Sequence, residues 1–476
     1  MRCLRKARGI GPCLPPVVCR PWSAACGLPP VAPGPCSSGR TRRSRGFPRV
    51  NSLLNLNSLR SAQNRAILVT LESATSAFFR VLRKTSVGEA IHTLIAGHAR
   101  DLSERLHAHR MKLFPPSATK TLRKFTSGEV ARLIGVNDGY LRHLSLDGKG
   151  PSPEVTPSGR RLYSIEDVRA LRAFLDGGSG KYMPTRRPGE PLQVIAVANF
   201  KGGSGKTTTA AHLAQYLALH GYRVLAVDLD PQASLSALHG YQPEFDIGEN
   251  QTLFGALRYD AERRPLEEVI RPTYFPGLDL IPGNIELMEY EHETPRAMLA
   301  RKKGEGFFFT RIAEALATVE SRYDVVVIDC PPQLGYLTLS ALCAATSVLV
   351  TVHPQMLDVM SMCQFLLMTS QLMSALADAG ARMSYDWMRY LVTRYEPGDG
   401  PQNQMVSFMR SMFGEYVLNY PMLKSTAIAD AGITKQTLYE VSREQFTRQT
   451  YDRAIEALDQ VNGEIEGLIR STWRRD

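Results

Sequence analysis

The first 71 residues contain no aspartate and no glutamate, although the chain of 476 residues has 46 acidic side chains in all. The same segment holds twelve basic side chains, which are Arg2, Arg5, Lys6, Arg8, Arg20, Arg40, Arg42, Arg43, Arg45, Arg49, Arg60 and Arg65. They account for the whole net charge of +11, because the other 405 residues sum to −1. The overall charge therefore does not predict nucleic-acid binding, which would need a local basic patch.

The sequence also lacks an uninterrupted apolar run of the roughly 18–20 residues that a membrane-spanning helix needs. Hydrophobic residues nevertheless make up 43% of the chain, which is enough to bury sizeable cores. A length of 476 residues favours about two or three domains. We therefore expect a multidomain protein with no membrane partner.

The cysteines show no recognisable ligand or disulfide pattern. Five of the eight lie in the first 36 residues, at spacings of 10, 6, 7 and 10, and match no zinc or disulfide framework. The other three, Cys330, Cys343 and Cys363, lie in apolar surroundings and are predicted to be reduced and buried. This usage is typical of a cytosolic protein.

Methionine is absent between Met1 and Met111, and residues 1–85 are rich in Pro, Gly, Ser and Arg. Three interpretations stay open: a disordered basic extension, an Arg-rich transit peptide, or a start codon assigned too far upstream. The third would need an alternative codon, such as one at Val81 or Val87. Residues 86–118 then show a helical pattern, which suits a dimerisation helix or a plain amphipathic one.

A helix-turn-helix pattern occupies residues 119–180. Thr126–Glu129 is a capping box that opens one helix, Gly135 permits a sharp turn, and Asn137 or Asp138 can cap a second helix. A short basic strand or wing follows at residues 159–163. The pattern predicts a small winged, MerR-like helix-turn-helix domain that ends in a Gly- and Ser-rich linker.

In this interpretation, side chains of the second helix face the major groove of DNA and those of the wing contact phosphates. The candidates are Tyr140, Arg142, His143, Arg160 and Arg161. A small helical domain that binds protein would show the same local pattern. DNA binding is therefore a hypothesis at this point.

From residue 190 to residue 476, apolar runs alternate with helical patterns. The predicted strands are Gln193–Ala198, Val224–Val227, Leu278–Ile281, Val325–Ile328, Ser347–Val352 and Met388–Val392. This alternation predicts an α/β fold with a doubly wound, mostly parallel sheet. Such sheets bind their ligands beyond the carboxyl ends of the strands.

The first of these strands runs into a glycine-rich loop and then a predicted helix. The loop residues are Lys201, Gly202, Gly203, Ser204, Gly205, Lys206, Thr207 and Thr208. In this context, backbone N–H groups and the helix N-terminus bind phosphate. Lys206 would reach the β- and γ-phosphates of a nucleotide, and the Thr207 hydroxyl would bind Mg²⁺. The loop departs from the general pattern at Phe200, where glycine is expected, and it carries a second lysine, Lys201.

Carboxylates follow two of the other strands. Asp228 and Asp230 come at the end of the second strand, two residues apart, and strand geometry predicts that they point the same way. Asp329 follows four apolar residues of the fourth strand, as the second metal-side acid of phosphate-loop enzymes does. The predicted Mg²⁺ site therefore consists of Thr207, Asp228 and Asp329.

Taken together, Lys201 with Lys206, Asp228 with Asp230, and Asp329 resemble the ParA/MinD family of deviant phosphate-loop (Walker A) ATPases. The Asp-Pro-Gln motif that begins at Asp230 favours the partition branch of that family. Segments outside the loop, at residues 125–142, 160–163, 423–432 and 450–454, are similar to the partition ATPases of repABC-type plasmids. The resemblance runs from about residue 88 to the end.

The resemblance implies a Mg²⁺-dependent ATPase of low intrinsic rate that binds ATP between the two subunits of a homodimer. Lys201 would contact the phosphates of the partner subunit, Lys206 those of its own, and Asp230 would position the attacking water. The resemblance further implies non-specific DNA binding, repression of the protein's own operon, and stimulation by a centromere-binding partition protein of the RepB or ParB kind. Such proteins work in the bacterial cytoplasm on the nucleoid or plasmid.

Two other functions stay open. One is a DNA-binding transcriptional repressor in which ATP is only an allosteric ligand. The other is a metabolic or cofactor-assembly ATPase on the same fold, which the helix-turn-helix pattern disfavours. Loss of turnover without loss of segregation would favour the first, and failure to bind DNA would favour the second.

Overall fold

The computed structural model describes residues 91–113, 120–301, 306–381 and 384–475. The predicted extension at residues 1–85 lies outside these ranges. Helix α1, Ile91–Leu113, falls within the segment predicted to be helical, and its Ile91, Ile95 and Leu102 side chains are exposed. From residue 106 onwards the chain forms one compact unit.

Residues 120–176, named here the N-terminal unit, contain three helices and a small antiparallel sheet in the order β1-β3-β2. Its elements are β1 Phe125–Thr126, α2 Ser127–Ile134, α3 Asp138–Leu146, β2 Glu154–Val155, β3 Arg161–Tyr163 and α4 Ile165–Asp176. Helices α2 and α3 are joined by a turn of three residues, and β2 and β3 form the hairpin expected of a wing. The predicted fold class, in which this unit precedes a large parallel sheet, is confirmed.

Local hydrogen bonds set the ends of the two helices. The Thr126 hydroxyl accepts from the Glu129 N–H, and the Glu129 carboxylate accepts from the Thr126 N–H, which completes the predicted capping box. Gly135 ends α2 with φ of 77°, a left-handed conformation that favours glycine. Asn137 then caps α3 by accepting from the Gly139 N–H at 2.8 Å.

The large sheet has seven strands in the order β10-β9-β4-β8-β5-β7-β6. Its strands are β4 Gln193–Ala198, β5 Val224–Asp228, β6 Arg271–Pro272, β7 Leu278–Ile281, β8 Val325–Asp329, β9 Ser347–Val352 and β10 Trp387–Val392. All neighbours are parallel except β6 with β7. The six predicted strands are present within one residue of their predicted bounds, and β6 was not predicted.

Helices and short helical turns connect these strands and cover the sheet. The α-helices are α5 Lys206–Leu219, α6 Ser234–Leu238, α7 Pro243–Asp246, α8 Leu253–Leu257, α9 Leu266–Val269, α10 Leu287–Ala300, α11 Arg311–Ala317, α12 Tyr336–Ala344, α13 Met356–Asp378, α14 Gly400–Phe413, α15 Thr426–Ile433 and α16 Arg448–Thr472. Turns of 3₁₀-helix lie at Phe308–Thr310, Glu320–Arg322, Gly414–Tyr416 and Arg443–Gln445.

The two faces of the sheet pack into separate cores. In β4, Ile195 and Val197 join the core beneath α5 and α16, whereas Val194, Ala196 and Ala198 join the core on the other side. Because alternate side chains of a strand point to opposite faces, a strand buried on both faces is apolar throughout. This explains why the parallel strands stand out so clearly as apolar runs.

Both edges of the large sheet are short or covered. At one edge, β6 has two residues, and one of them, Pro272, has no backbone N–H to donate. At the other edge, the chain returns along β10, where the Leu418 N–H donates to the Tyr390 carbonyl at 3.0 Å and the Met422 N–H to the Val392 carbonyl at 2.9 Å.

Helix α13 differs from the other described helices because its length and composition would allow it to cross a membrane, with mean hydropathy of 1.3 over 18 residues. Asp, Ser, Thr and Gln residues interrupt the apolar run in this helix, so it is not continuous in the sequence. Met362 and Phe365 pack into the core, and Asp358 makes an ion pair in the first turn. Only 11% of that window is buried, and a single helix of this length and composition is weak evidence for a membrane role.

The segment predicted to be a flexible linker is held by hydrogen bonds. The Asp176 carboxylate accepts from the backbone N–H groups of Gly180, Tyr182 and Met183. Further along, Arg475 near the C-terminus donates to the carbonyls of Pro184 and Thr185.

Three cysteines fall within the described residues, and all are free thiols. Cys330 is buried and Cys343 half-buried, but Cys363 is exposed. The prediction that Cys363 is buried is therefore wrong, because it lies on the outward side of α13.

Candidate nucleotide-binding site

Three adjacent strands bring the predicted site to one edge of the sheet. Strand β8 lies between β4 and β5, with Asp329 opposite Val197 on one side and opposite Asp228 on the other. The glycine-rich loop that leaves β4 therefore lies beside both aspartates. This edge is formed by the carboxyl ends of parallel strands, where doubly wound sheets bind ligands.

The loop is anchored to the ends of β9 and β10. The Ser204 hydroxyl lies 3.0 Å from the Thr351 hydroxyl, and the Thr393 hydroxyl donates to the Ser204 carbonyl at 2.7 Å. Gly205 has φ of 86°, and a Cβ there would lie 3.4 Å from the Cβ of Thr393. Glycine is required at this position because the backbone is left-handed and also approaches β10 closely.

A cavity of about 540 Å³ opens above the loop. On the loop side it is lined by Gly202, Gly203, Gly205, Lys206, Thr207 and Thr208, and on the other sides by Asp230, Gln232, Ser234, Pro332, Thr393, Arg394, Met422, Leu423, Lys424, Ser425, Thr426, Ile428 and Ala429. The volume and the mixture of backbone, charged and apolar groups suit a nucleotide.

Lys206 lies at the base of this cavity and is only 6% exposed. Its ammonium donates to the Lys201 carbonyl at 3.2 Å. Burial lowers the pKa of Lys206, and the nearby carboxylates of Asp329 and Asp230 oppose that shift. The position suits a cation that binds phosphate at the start of α5, where the helix N-terminus adds its own positive potential.

The two strand-end aspartates are both fully buried. Asp228 accepts hydrogen bonds from the Ser236 N–H at 2.8 Å and from the Ser236 hydroxyl at 2.7 Å. Neither oxygen of Asp329 has a well-formed hydrogen bond, although the Thr207 hydroxyl and Lys206 ammonium lie near enough to stabilise its charge. Burial raises the pKa of both carboxyls, most strongly that of Asp329.

The oxygens of Asp329 therefore lack a partner in a buried position, beside the hydroxyl of Thr207. Carboxylate and hydroxyl oxygens are the ligands that Mg²⁺ prefers, and a cation would remove the cost of burying this charge. The predicted metal residues thus fit Mg²⁺, with Asp329 better placed than Asp228. The oxygens of Asp228 are already used by Ser236 and by the Asp230 N–H.

Asp230 has different surroundings from Asp228. Strand β5 ends at Asp228, Leu229 is buried, and Asp230 lies half-buried at the cavity wall. Because Asp230 lies beyond the regular strand, the two-residue period of a strand does not by itself set the direction of its side chain. Its position on the cavity suits a residue that contacts a water molecule next to a phosphate.

Two of the predicted loop contacts, Lys201 and the buried Ser204, do not line the cavity. Lys201 lies against helix α13. Its ammonium pairs with the Asp358 carboxylate of α13 at 2.8 Å, and its side chain is 38% exposed. Sequence reasoning missed Asp358, whose only local signal is an acidic residue in the first turn of a long helix.

Two further residues that shape the site were also missed. Ser236 holds Asp228 from α6, and its hydroxyl accepts from the Gly283 N–H at 2.9 Å. A Cβ on Gly283 would lie 3.0 Å from the Asp228 Cγ and from the Asp230 carbonyl oxygen. A glycine two residues after the end of β7 was the available signal, because glycine near a buried strand often marks a close backbone approach.

The predicted DNA-binding residues lie in the N-terminal unit. Helix α3 buries Leu141 and Leu144, and it exposes Tyr140, Arg142 and His143. Arg160 is exposed in the hairpin turn, whereas Arg161 is half-buried and its Nε is enclosed without a hydrogen-bond partner. Four of the five candidates are thus on the surface, and Arg161 is less accessible.

The fold and this edge define a phosphate-binding-loop nucleotide-binding protein of the doubly wound α/β class. A family model described as an AAA domain (AAA_31) matches residues 192–379. A putative replication protein A of Rhizobium rhizogenes is 59% identical over 398 residues, which cover 83% of this chain and 98% of that relative. Protein SopA of Escherichia coli (strain K12) is 32% identical over 370 residues, covering 75% and 92%.

Among solved structures, one described as "Partition Protein" is 21% identical, with a TM-score of 0.48, and covers 76% of this chain and 98% of that one. The identities to the putative replication protein A and to SopA extend over most of each chain. The chain therefore belongs to the ParA/MinD family of deviant Walker A ATPases, together with these replication protein A and SopA relatives.

Proposed function

We propose that this protein is a plasmid-partitioning ATPase that uses ATP binding and hydrolysis as a switch. The observation that carries the proposal is the meeting of the two-lysine loop, Asp230 and the unpartnered Asp329 carboxylate at one edge of the sheet. The names of the relatives, a putative replication protein A and SopA, support a role in plasmid maintenance.

Bound ATP with Mg²⁺ would supply the γ-phosphoryl group that is transferred to water. The N–H groups of the loop bind the phosphates, and Lys206 balances their charge from the base of the cavity. Thr207 and Asp329 hold the metal, with Asp228 behind them. Asp230 orients the attacking water from the cavity wall.

The proposal includes a homodimer formed around ATP. Lys201 reaches the phosphates of the partner subunit only after it leaves Asp358, with which it pairs in the single chain. In a monomer this ion pair holds Lys201 on Asp358, which leaves Lys206 as the loop lysine that binds the phosphates. Turnover is therefore slow until two subunits meet, and a centromere-binding partition protein of the RepB or ParB kind accelerates it.

DNA takes part in two ways in this proposal. The dimer coats DNA non-specifically, through phosphate contacts that carry no sequence information. The exposed residues of α3, Tyr140, Arg142 and His143, contact operator bases, and Arg160 and Arg161 of the hairpin contact phosphates. The protein would thus repress its own operon and act in the bacterial cytoplasm, on nucleoid or plasmid.

The test measures ATP turnover of the full chain alone, with DNA, and with the partner protein added. We expect a low rate that the partner raises. Asp230→Ala should lower turnover by about 10²–10³ while nucleotide still binds, as when a transition-state contact is removed. Asp378→Ala, at the exposed end of α13, is the matched control and should behave like the wild type.

A second function is favoured by the exposed α3 face, namely a transcriptional repressor in which ATP is only an allosteric ligand. Plasmid segregation in cells that carry Asp230→Ala separates the two. Loss of segregation supports the partition ATPase. Normal segregation without turnover would reject it in favour of the repressor.

A further inference from the structure

A largely buried lysine of the N-terminal unit, Lys120, contacts two separate parts of the chain that follows. Its ammonium donates to the carbonyl of Leu238 at 2.6 Å and to the carbonyl of Lys435 at 2.7 Å. It also pairs with the Glu440 carboxylate at 2.8 Å. Since an ammonium has three N–H donors, these acceptors use all of its capacity.

The first contact lies at the far end of α6, whose near end is at the nucleotide cavity. Gln232 and Ser234 line the cavity, and α6 runs from Ser234 to Leu238. Within α6, Ser236 is bonded to Asp228. Only one and a half turns of helix thus separate the cavity from the carbonyl that Lys120 binds.

The second contact, with the Lys435 carbonyl, lies just beyond the end of α15, and the start of α15 is at the cavity. Ser425 and Thr426 line the cavity, α15 runs from Thr426 to Ile433, and Lys435 follows two residues later. The residue is held in a left-handed conformation, with φ of 54°. Two helices whose first residues line one cavity therefore both lead to a single ammonium.

The contacts around the Lys120 ammonium are largely buried. The side chain of Lys120 is 17% exposed and that of Glu440 is 2% exposed. The Tyr274 hydroxyl donates to the Glu440 carboxylate and lies 3.2 Å from the Leu238 carbonyl oxygen, and its ring lies 4.6 Å from the ammonium. Loss of one member would leave a buried charge without its partner, which is costly.

On its other side, Lys120 is linked to the start of helix α2. Arg123 pairs with Glu129 at 2.8 Å, and Glu129 is the residue that closes the capping box with Thr126. Phe125, in the adjoining strand, is buried in the core of the N-terminal unit. Six residues therefore separate Lys120 from Ser127, the first residue of the helix pair that presents Tyr140 and Arg142.

We propose that Lys120 couples occupancy of the nucleotide cavity to the conformation of the α2–α3 helix pair. Movement of either cavity wall on nucleotide binding shifts the Leu238 or the Lys435 carbonyl, and Lys120 transmits that shift. The proposal rests on the proposed nucleotide site. It adds a structural connection from that site through Lys120 to the helix pair, which nucleotide binding alone does not require. Coupling of this kind is reciprocal, so the state of the helix pair also affects nucleotide affinity.

The experiment is amide hydrogen exchange on the full chain, with and without a non-hydrolysable ATP analogue and Mg²⁺, followed at residues 127–146. Nucleotide affinity is measured separately with a fluorescent ATP analogue. The variant is Lys120→Met, which keeps the length of the side chain and removes the ammonium. Lys124→Met is the control, since Lys124 lies in the same segment but makes an exposed pair with Glu154.

In the wild type and in Lys124→Met, we expect the analogue to change exchange at residues 127–146 by about fivefold or more, the lower end of typical coupling. In Lys120→Met, that change should disappear while the analogue still binds. An unchanged nucleotide effect in Lys120→Met, or no effect in a wild type that binds the analogue, would overturn the coupling. Failure of the wild type to bind the analogue would instead count against the proposed function.

Lys120→Met could lower stability enough to unfold the chain, which thermal denaturation would reveal. Tyr274→Phe then serves as the second variant, because it removes the hydroxyl that contacts the Glu440 carboxylate and the Leu238 carbonyl and leaves both charges of the Lys120–Glu440 pair in place. It should reduce the nucleotide effect on residues 127–146 by about half. Full retention of the effect in Tyr274→Phe would then contradict the proposal.

Discussion

The nucleotide edge and the outer face of the N-terminal unit differ in how their charged side chains are held. At the nucleotide edge, Lys206, Asp228 and Asp329 are buried and constrained by neighbours. On the N-terminal unit, Arg142 and Arg160 are exposed. The electrostatic energy of a buried charge changes strongly when its neighbours change, whereas that of an exposed charge is screened by water. We therefore expect substitutions in the first region to have large effects and substitutions in the second to have small ones.

The largest effect that this comparison predicts is at Lys206. Lys206→Met removes the cation that faces both the buried carboxylates and the expected phosphates. We expect ATP turnover to fall by about a hundredfold or more. Lys149→Met, at an exposed pair with Asp147, should leave turnover unchanged. Equal turnover in the wild type and in Lys206→Met would show that the buried cation is not used.

The second prediction concerns His212, which is fully buried in α5. Its Nε2 accepts from the Leu438 N–H at 3.2 Å, and burial lowers its pKa to about 4. The folded state therefore favours the neutral ring. This stability is present above the unfolded pKa of about 6.5 and is lost as pH falls toward 4, by about 2–3 kcal/mol.

The measurement is the free energy of unfolding in urea at pH 7.5 and at pH 5. His212→Gln should make the difference between the two values smaller than in the wild type. His98→Gln, at an exposed position of α1, should not change it. A pH dependence that is the same in the wild type and in His212→Gln would contradict the assignment.

The third prediction tests the exposed region. Arg142→Ala should weaken binding to a DNA fragment that carries the protein's own promoter by about tenfold, the loss of one base contact of 1–3 kcal/mol. ATP turnover and thermal stability should stay at wild-type values, because the side chain contacts no described part of the core. If Arg142→Ala also lowered thermal stability, the exposed face of the N-terminal unit would not be independent of the folded core.

The smallest expected effect is at Asp358, whose largely buried carboxylate pairs with the partly exposed Lys201. Lys201 is more than a third exposed, so its ion pair is worth only about 0.2–1 kcal/mol. Asp358→Asn should free Lys201 and lower the protein concentration for ATP-dependent dimerisation by about two- to fivefold. Analytical ultracentrifugation measures this, and Lys201→Ala in the same background should abolish the gain.

The parallel strands and the loop could be predicted because local sequence determines them. Strand β4 is apolar throughout since both faces are buried, and Gly205 follows it where only glycine fits. The capping box at Thr126 was predictable for the same reason, as its partners are three residues apart. These features depend on neighbours along the chain.

Other parts of the site depend on neighbours in space, which a single sequence does not reveal. Ser236 and Asp228 are eight residues apart, and Asp358 lies 157 residues beyond Lys201. Strand β6 has two residues and one of them is proline, so it left no apolar pattern. The exact end of β5 is a further example, because sequence gives the period of a strand but not the residue at which it ends, and Asp230 lies beyond that end.

The covered edges of the large sheet bear on how copies of this chain can assemble. An open edge would let subunits add by backbone pairing, which is hard to reverse and tends toward fibres. Here Pro272 and the returning chain at Leu418 and Met422 block that route on both sides. Association at the large sheet is then left to side chains, and contacts of that kind suit the reversible, ATP-dependent dimer that we propose.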